Sequence, residues 1–341
     1  MGIEIQELHP PTEPDPVLLE LHDYYVELDR ERLPDDPPMP AEQRLAMWRN
    51  VNEHLDIRRW VLREDGVIVA AAVVAMDQVD DINNAFARVH VRPSHRRQGH
   101  ALALARPVLD AMTASGRKSV ITDTLDGAPW ESKLAKIGMK KSLTAKESRL
   151  LVDEVDWDFM DEWITRAAER ASDYELLSLE APFPEEHLQN WCDVLLHMNS
   201  APREDLEFED FTMSPEKWRD IETKDLNQGV RVMAEVAIHK PTGAWVGLSE
   251  IASLDHQPDT GWQGDTGVDP VHRNKGLGRW LKAAMLRRFV EAHPSVERID
   301  TENAASNEAM LNINVEMGYR PLFVNNAWQG DLDDIRSALG L

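Results

Sequence analysis

One motif is written twice in this chain. Val91-Arg92-Pro93-Ser94-His95-Arg96-Arg97-Gln98-Gly99-His100-Ala101 reads V-x-P-x-H-R-x-x-G-x-A, and Val268-Asp269-Pro270-Val271-His272-Arg273-Asn274-Lys275-Gly276-Leu277-Gly278 reads V-x-P-x-H-R-x-x-G-x-G. The arginines Arg96 and Arg273 stand 177 positions apart in a chain of 341 residues. So long a period marks a duplicated domain, because solenoid repeats recur every 20–50 residues or so.

The flanks repeat as well. Two amphipathic helical segments precede each motif, followed by three strands: Arg58–Arg63, Val67–Met76 and Ala85–Val91 in the first half, Val230–His239, Ala244–Ala252 and Trp262–Val268 in the second. Asp65-Gly66 signals a hairpin turn, and Pro241-Thr242-Gly243 turns the corresponding pair. A helix follows each motif, with Ala101, Leu104, Val108 and Met112 or Leu277, Leu281, Ala284, Met285 and Phe289 at helical spacing. Pro107 is expected to kink the first of these helices. A strand, a second helix and a strand opened by Gly138-Met139 or Gly318-Tyr319 close each half. The order β-α-α-β-β-β-α-β-α-β, used twice, predicts an α/β (α+β) fold of two tandem domains, each a mixed sheet flanked by helices. The expected boundaries are residues 1–152, a linker helix over 153–173, and residues 174–341.

A strand ending in V-x-P, then R-x-x-G-x-G, then a helix makes an anion cradle. Glycine lets the main chain take up unusual dihedrals and come close to a ligand. Successive N–H groups then converge at the positive end of the helix dipole, and the arginine adds a charge-assisted hydrogen bond. A pyrophosphate fits such a site. The mononucleotide P-loop and the three-glycine dinucleotide fingerprint are both absent. A single occurrence would equally fit a ligand-free glycine turn, and two in matching contexts favour the cradle.

The doubled motif resembles the GNAT superfamily of acyl-CoA-dependent N-acyltransferases in tandem form, and the second half resembles it more strongly. There Asn307 and the pair Gly318-Tyr319 match the ends of the family's N-x-x-A-x-x-L-Y-x-x-x-G-F element. The resemblance implies acetyl-CoA as acyl donor. It implies that Thr266, Gly267, Val268, Arg273, Asn274, Lys275, Gly276, Leu277, Gly278, Asn303 and Asn307 bind it, with Val91, Arg96, Arg97, Gln98, Gly99, His100 and Ala101 as a degenerate first copy. The N–H groups near Val268 would polarise the thioester carbonyl. The family's general acid is a tyrosine; Asn314 stands at that position here, and an amide does not deliver a proton. Glu250, in an otherwise apolar strand, and Asp265 are the candidate bases; each could instead be solvent-facing or serve a turn. Asn307 could equally be a helix N-cap. His272 is expected to orient the loop. Trp280 is expected in the core, while Trp245 and Trp262 could wall an acceptor pocket.

The net charge of −24 disfavours nucleic acid as a partner and suits a cationic one. No apolar run reaches the roughly 18 residues of a membrane span. The single cysteine, Cys192, excludes an internal disulfide and a cysteine-based zinc cluster, and no metal site is expected. A cytoplasmic enzyme is expected, passing acetyl groups to the primary amine of a small molecule. Acyl-CoA binding without turnover and acetylation of protein lysines are the alternatives. The sequence leaves the oligomeric state open.

Overall fold

The computed structural model describes residues 2–341. The first half runs β1 (Ile3–Leu8), α1 (Asp15–Arg32), α2 (Ala41–Arg49), β2 (Leu55–Glu64), β3 (Val67–Asp77), β4 (Asn84–Val91), α3 (His100–Ala114), β5 (Ser119–Leu125), α4 (Glu131–Lys136) and β6 (Lys140–Leu151). The second runs α5 (Trp157–Arg170), β7 (Tyr174–Glu180), α6 (Leu188–Leu195), α7 (Pro215–Asn227), β8 (Val230–His239), β9 (Ala244–Leu254), β10 (Gln257–Val268), α8 (Leu277–Ala292), β11 (Arg298–Ala304), α9 (Glu308–Met317), β12 (Arg320–Asp331) and α10 (Leu332–Leu339). The repeated order expected from sequence is therefore present in both halves.

The chain forms two compact units, and they depart from the boundary at residue 152. One comprises residues 1–143, 205–210 and 326–341; the other comprises 144–204 and 211–325. Each unit is completed by the other half's last strand. In the second unit Ala145–Leu151 of β6 pairs antiparallel with Ala304–Arg298 of β11. Arg149 adds a bidentate pair to Asp300, with both bonds at 2.7 Å. In the first unit Trp328 of β12 donates to the Thr124 hydroxyl at 3.0 Å, and Leu332 and Ile335 of α10 join the core of α3 and β3. Periodicity shows where a strand lies but not which strand it pairs with, so this exchange was invisible in the sequence.

In the first unit β1-β2-β3-β4 is antiparallel, and β5 joins β4 in parallel. Asp65 and Gly66, both at positive φ, make the β2–β3 hairpin turn. One face packs on α3 through Leu104, Val108 and Met112; the other packs on α1 and α2 through Leu18, Leu21 and Trp48. α3 continues through Pro107 as one helix.

The second unit repeats this with β7-β8-β9-β10 antiparallel and β11 parallel to β10. Ile251 and Ile299 meet Met285, Leu286 and Phe289 of α8 on one face. Leu248 and Val236 meet Trp191 of α6 and Trp218 of α7 on the other, where Cys192 is a buried thiol with its pKa pushed up to about 11 by burial. Residues 157–170, expected as part of a linker, form α5. Met160 and Trp163 pack it onto α8, and Arg287 of α8 donates to Asp161.

Candidate active site

The parallel pair in each unit separates partway along. β10 pairs with β11 only at Thr260–Trp262, and β4 with β5 only at Asn84–Phe86. Beyond these residues each β10 or β4 keeps its antiparallel neighbour, and its other edge opens into a wedge. β10 also carries a bulge. Gln263 faces Ile251 and Thr266 faces Ser249, so Gly264 and Asp265 together oppose Glu250. β4 has an unbroken register over the corresponding stretch.

At the wide end of the second wedge lies the motif turn. Asn274 (φ 63°) and Gly276 (φ 83°) are left-handed, and α8 starts at Leu277. Positions 273–276 are exposed, and a Cβ at Gly276 would meet nothing within 4 Å. The Arg273 guanidinium donates to the Val268 carbonyl at 2.9 Å and to the Ser200 hydroxyl at 2.8 Å. Both partners are neutral, so its charge stays available to an anion. Lys275 donates to the Tyr174 hydroxyl at 2.7 Å, and that hydroxyl lies 2.8 Å from His272 Nδ1. His272 thus anchors the loop, as expected.

The first unit copies the turn but not its electrostatics. Arg97 (φ 64°) and Gly99 (φ 89°) reproduce the backbone, and Arg96 donates to the Val91 carbonyl at 3.1 Å. The Arg96 guanidinium, however, is bound by both carboxylate oxygens of Glu31 on α1. An incoming phosphate would have to displace that carboxylate. His100 is buried where Leu277 stands in the second copy.

Glu250 projects from β9 on the α6/α7 face and lies against the bulge. A Cβ on Gly264 would come within 2.8 Å of its Oε1, so a larger residue there would push the Glu250 carboxyl aside. The Asp265 N–H approaches the same oxygen at 3.4 Å. Burial, and then the neighbouring Asp265, push the Glu250 carboxyl up to about 8. Burial raises Asp265 too, and Asp225 of α7 is pushed up to about 6 by burial and by Glu222. Asp225 was not singled out from sequence, because only packing brings α7 over this face. Met198 also entered unannounced; a Cβ on Gly267 would fall 2.7 Å from its sulfur.

The opposite face of the wedge holds buried amides. Asn314 of α9 is buried and donates to Asn303 Oδ1 at 2.6 Å, while its own Oδ1 has no partner. Gln263 Nε2 donates to the Glu250 carbonyl at 2.6 Å, and its Oε1 is likewise unpartnered. Asn307 caps α9, its Oδ1 accepting from Met310 N at 3.3 Å. Lys282 of α8 is buried, its ammonium 5.4 Å from the Tyr319 ring, with its pKa pushed down to about 7 by burial. Trp280 is in the core and Trp262 is exposed. Among the described residues no group of side chains could hold a metal ion.

The model of the acetyltransferase (GNAT) family matches residues 19–129 and 188–319. The chain belongs to the GNAT family. Among solved structures, a tandem GNAT protein from the clavulanic acid biosynthesis pathway matches at a TM-score of 0.77 and 19% identity, over 97% of this chain and 99% of that one. A GCN5-related N-acetyltransferase from Sphaerobacter thermophilus matches at 0.68 and 13%, over 97% and 96%. The glucosamine N-acetyltransferase region of a fungal multi-domain β-N-acetylglucosaminidase matches at 0.64 and 11%, over 96% of this chain and 38% of that one. No curated protein sequence matches the chain. The tandem GNAT architecture is thus established for both units. No described helix is long and apolar enough to cross a membrane.

Proposed function

We propose that the second unit transfers an acetyl group from acetyl-CoA to the primary amine of a small, cationic acceptor. The observation that carries this reading is the contrast between the two cradles: Arg273 has only neutral partners, whereas Arg96 is held by Glu31.

The residues fit the donor. The N–H groups of the 273–278 turn and the Arg273 guanidinium would hold the diphosphate. The unpaired edge of β10 at Thr266–Val268 would take the pantetheine arm as an added strand, with Asn303 flanking it from β11. Acetyl-CoA supplies an activated thioester. A main-chain N–H of β10 next to the bulge donates to the thioester oxygen as negative charge develops there. The ionised Glu250 carboxylate, with Asp265 beside it, accepts the proton of the attacking amine, directly or through a water. The new C–N bond forms, the C–S bond breaks, and the departing thiolate takes a proton. Asn314, buried with its amide already donating to Asn303 Oδ1, gives up no proton. A thiol with a reference pKa near 8.5 is a good enough leaving group to be protonated from solvent. The acidic set Glu250, Asp265 and Asp225 favours a cationic acceptor.

The amide at Asn314 also favours a second reading, in which acyl-CoA is bound without turnover. CoA release measured with a panel of small amines and lysine peptides separates the readings. Release with small amines supports transfer. Release only with peptides points to protein acetylation, and tight acetyl-CoA binding with no release points to a binding module.

A further inference from the structure

The face that carries carboxylates in the second unit carries arginines in the first. The register aligns Ala70, opposite Val91, with Gly247, opposite Val268. Val73 therefore occupies the place of Glu250, and Arg88 that of Asp265. Around them stand Arg59 from β2, Arg44 and Trp48 from α2, and Tyr25 from α1. The Tyr25 and Trp48 rings are 5.8 Å apart. The Arg44 guanidinium lies 5.4 Å from the Tyr25 ring, and that of Arg59 lies 5.6 Å from the Trp48 ring. Val73 cannot accept an amine's proton as Glu250 can. His90 is pushed down to about 4 by burial and by Arg88.

The three guanidinium groups are not equally compensated. Arg44 is paired with Asp29, although its buried Nε has no partner. Arg88 is held by both oxygens of Asp123, at 2.5 and 3.1 Å. Arg59 is half-buried, lies against the Trp48 ring and has no carboxylate partner among the described residues. Burial and the nearby Arg44 both work against its charge. Holding a half-buried cation beside another cation, with an aromatic ring rather than a carboxylate against it, carries a cost. An oxyanion matching the guanidinium fork would remove that cost.

We propose that the α1/α2 face of the first unit binds the carboxylate or phosphate group of a small molecule, with Arg59 as its principal contact and Tyr25 and Trp48 flanking it. This site does not depend on the reaction assigned to the second unit. The alternative is that Trp48 and Tyr25 hold Arg59 as a purely structural cation.

Titration calorimetry and thermal melts with phosphate, acetate and benzoate, against sodium chloride at equal ionic strength, test the proposal. The second cradle can also take phosphate, so the experiments are done on wild type and on Arg273→Ala. Saturable binding of at least one probe is expected in both proteins. Stronger binding of phosphate than of benzoate points to a phosphoryl ligand, and the reverse order to a carboxylate. Arg59→Leu is expected to lower the affinity tenfold or more while melting no lower than wild type without the probe. Arg59→Lys, which keeps the charge and loses the fork, serves if the leucine variant does not fold, and is expected to lose affinity as well. Three results overturn the proposal: no saturable binding to wild type, binding lost in Arg273→Ala but kept in either Arg59 variant, or a large drop in the melting temperature of Arg59→Leu with probe affinity unchanged.

Discussion

Replacing Glu250 with glutamine probes the bulge most sharply, because the carboxyl is half-buried, lies beside Asp265 and is pushed up to about 8. Raising a carboxyl from its ordinary 4.5 to about 8 corresponds to a preference for the neutral acid of roughly 5 kcal/mol, at about 1.4 kcal/mol per tenfold change in proton affinity. The folded protein then holds a proton that the unfolded chain has already lost. Stability falls with rising pH wherever the native state binds more protons. This contribution is fully present below about 4.5 and is lost as the pH rises through about 8. Glutamine keeps the shape and does not titrate. Urea melts of wild type and Glu250→Gln from pH 5 to 9 should show a shallower loss of stability in the variant. Above pH 8 the variant should be the more stable by about 2–5 kcal/mol. Acetyl transfer by wild type should rise with pH and level off beyond about 8. The variant should lose about 100-fold or more in rate while binding acetyl-CoA unchanged. Superimposable pH–stability curves would refute the neutral carboxyl, and an unimpaired rate would refute its role as base.

Other outcomes follow from neighbouring parts of the structure. Arg273→Ala should weaken acetyl-CoA binding more than Arg96→Ala, because Arg96 is already occupied by Glu31; calorimetry gives the ranking, and the reverse order would assign the cofactor to the first unit. Gly276→Asp should abolish binding to the second cradle, since it sets a carboxylate at a phosphate position with φ 83°; unchanged affinity would remove that turn from the site. Lys282→Met should raise the melting temperature at neutral pH. The folded protein holds the Lys282 ammonium at a pKa of about 7, so the wild type's penalty is full below that pH and fades toward 10.5, and the variant's advantage should shrink over that range. Arg149→Leu should destabilise the second unit by about 3 kcal/mol, because it leaves Asp300 largely buried without its partner on the exchanged strand; chemical denaturation would show it, and no change would mean the exchange owes nothing to this pair.

What could be read from the chain was what neighbouring residues decide. Helical and alternating spacing located the elements, Asp65-Gly66 located a turn, and R-x-x-G located a left-handed corner ahead of a helix. Glu250 stood out as a carboxylate in an apolar strand. What could not be read depends on contacts distant in sequence. Glu31 closes the first cradle from 65 residues away. Asp225 joins the acidic set only when α7 packs over β9. β6 and β12 are recognisable as strands, but their exchange is a matter of pairing. The expectation at Asn307 divides differently: an asparagine just before a helix fits both cap and ligand, and its bond to Met310 N shows the cap.

A crystal structure with coenzyme A bound tests the central claim most directly. The diphosphate should sit on the main-chain amides of residues 273–278 with the Arg273 guanidinium against it, and the pantetheine should lie along the free edge of β10. Coenzyme A seated only at residues 96–101, or that second turn left without a phosphate, would contradict it.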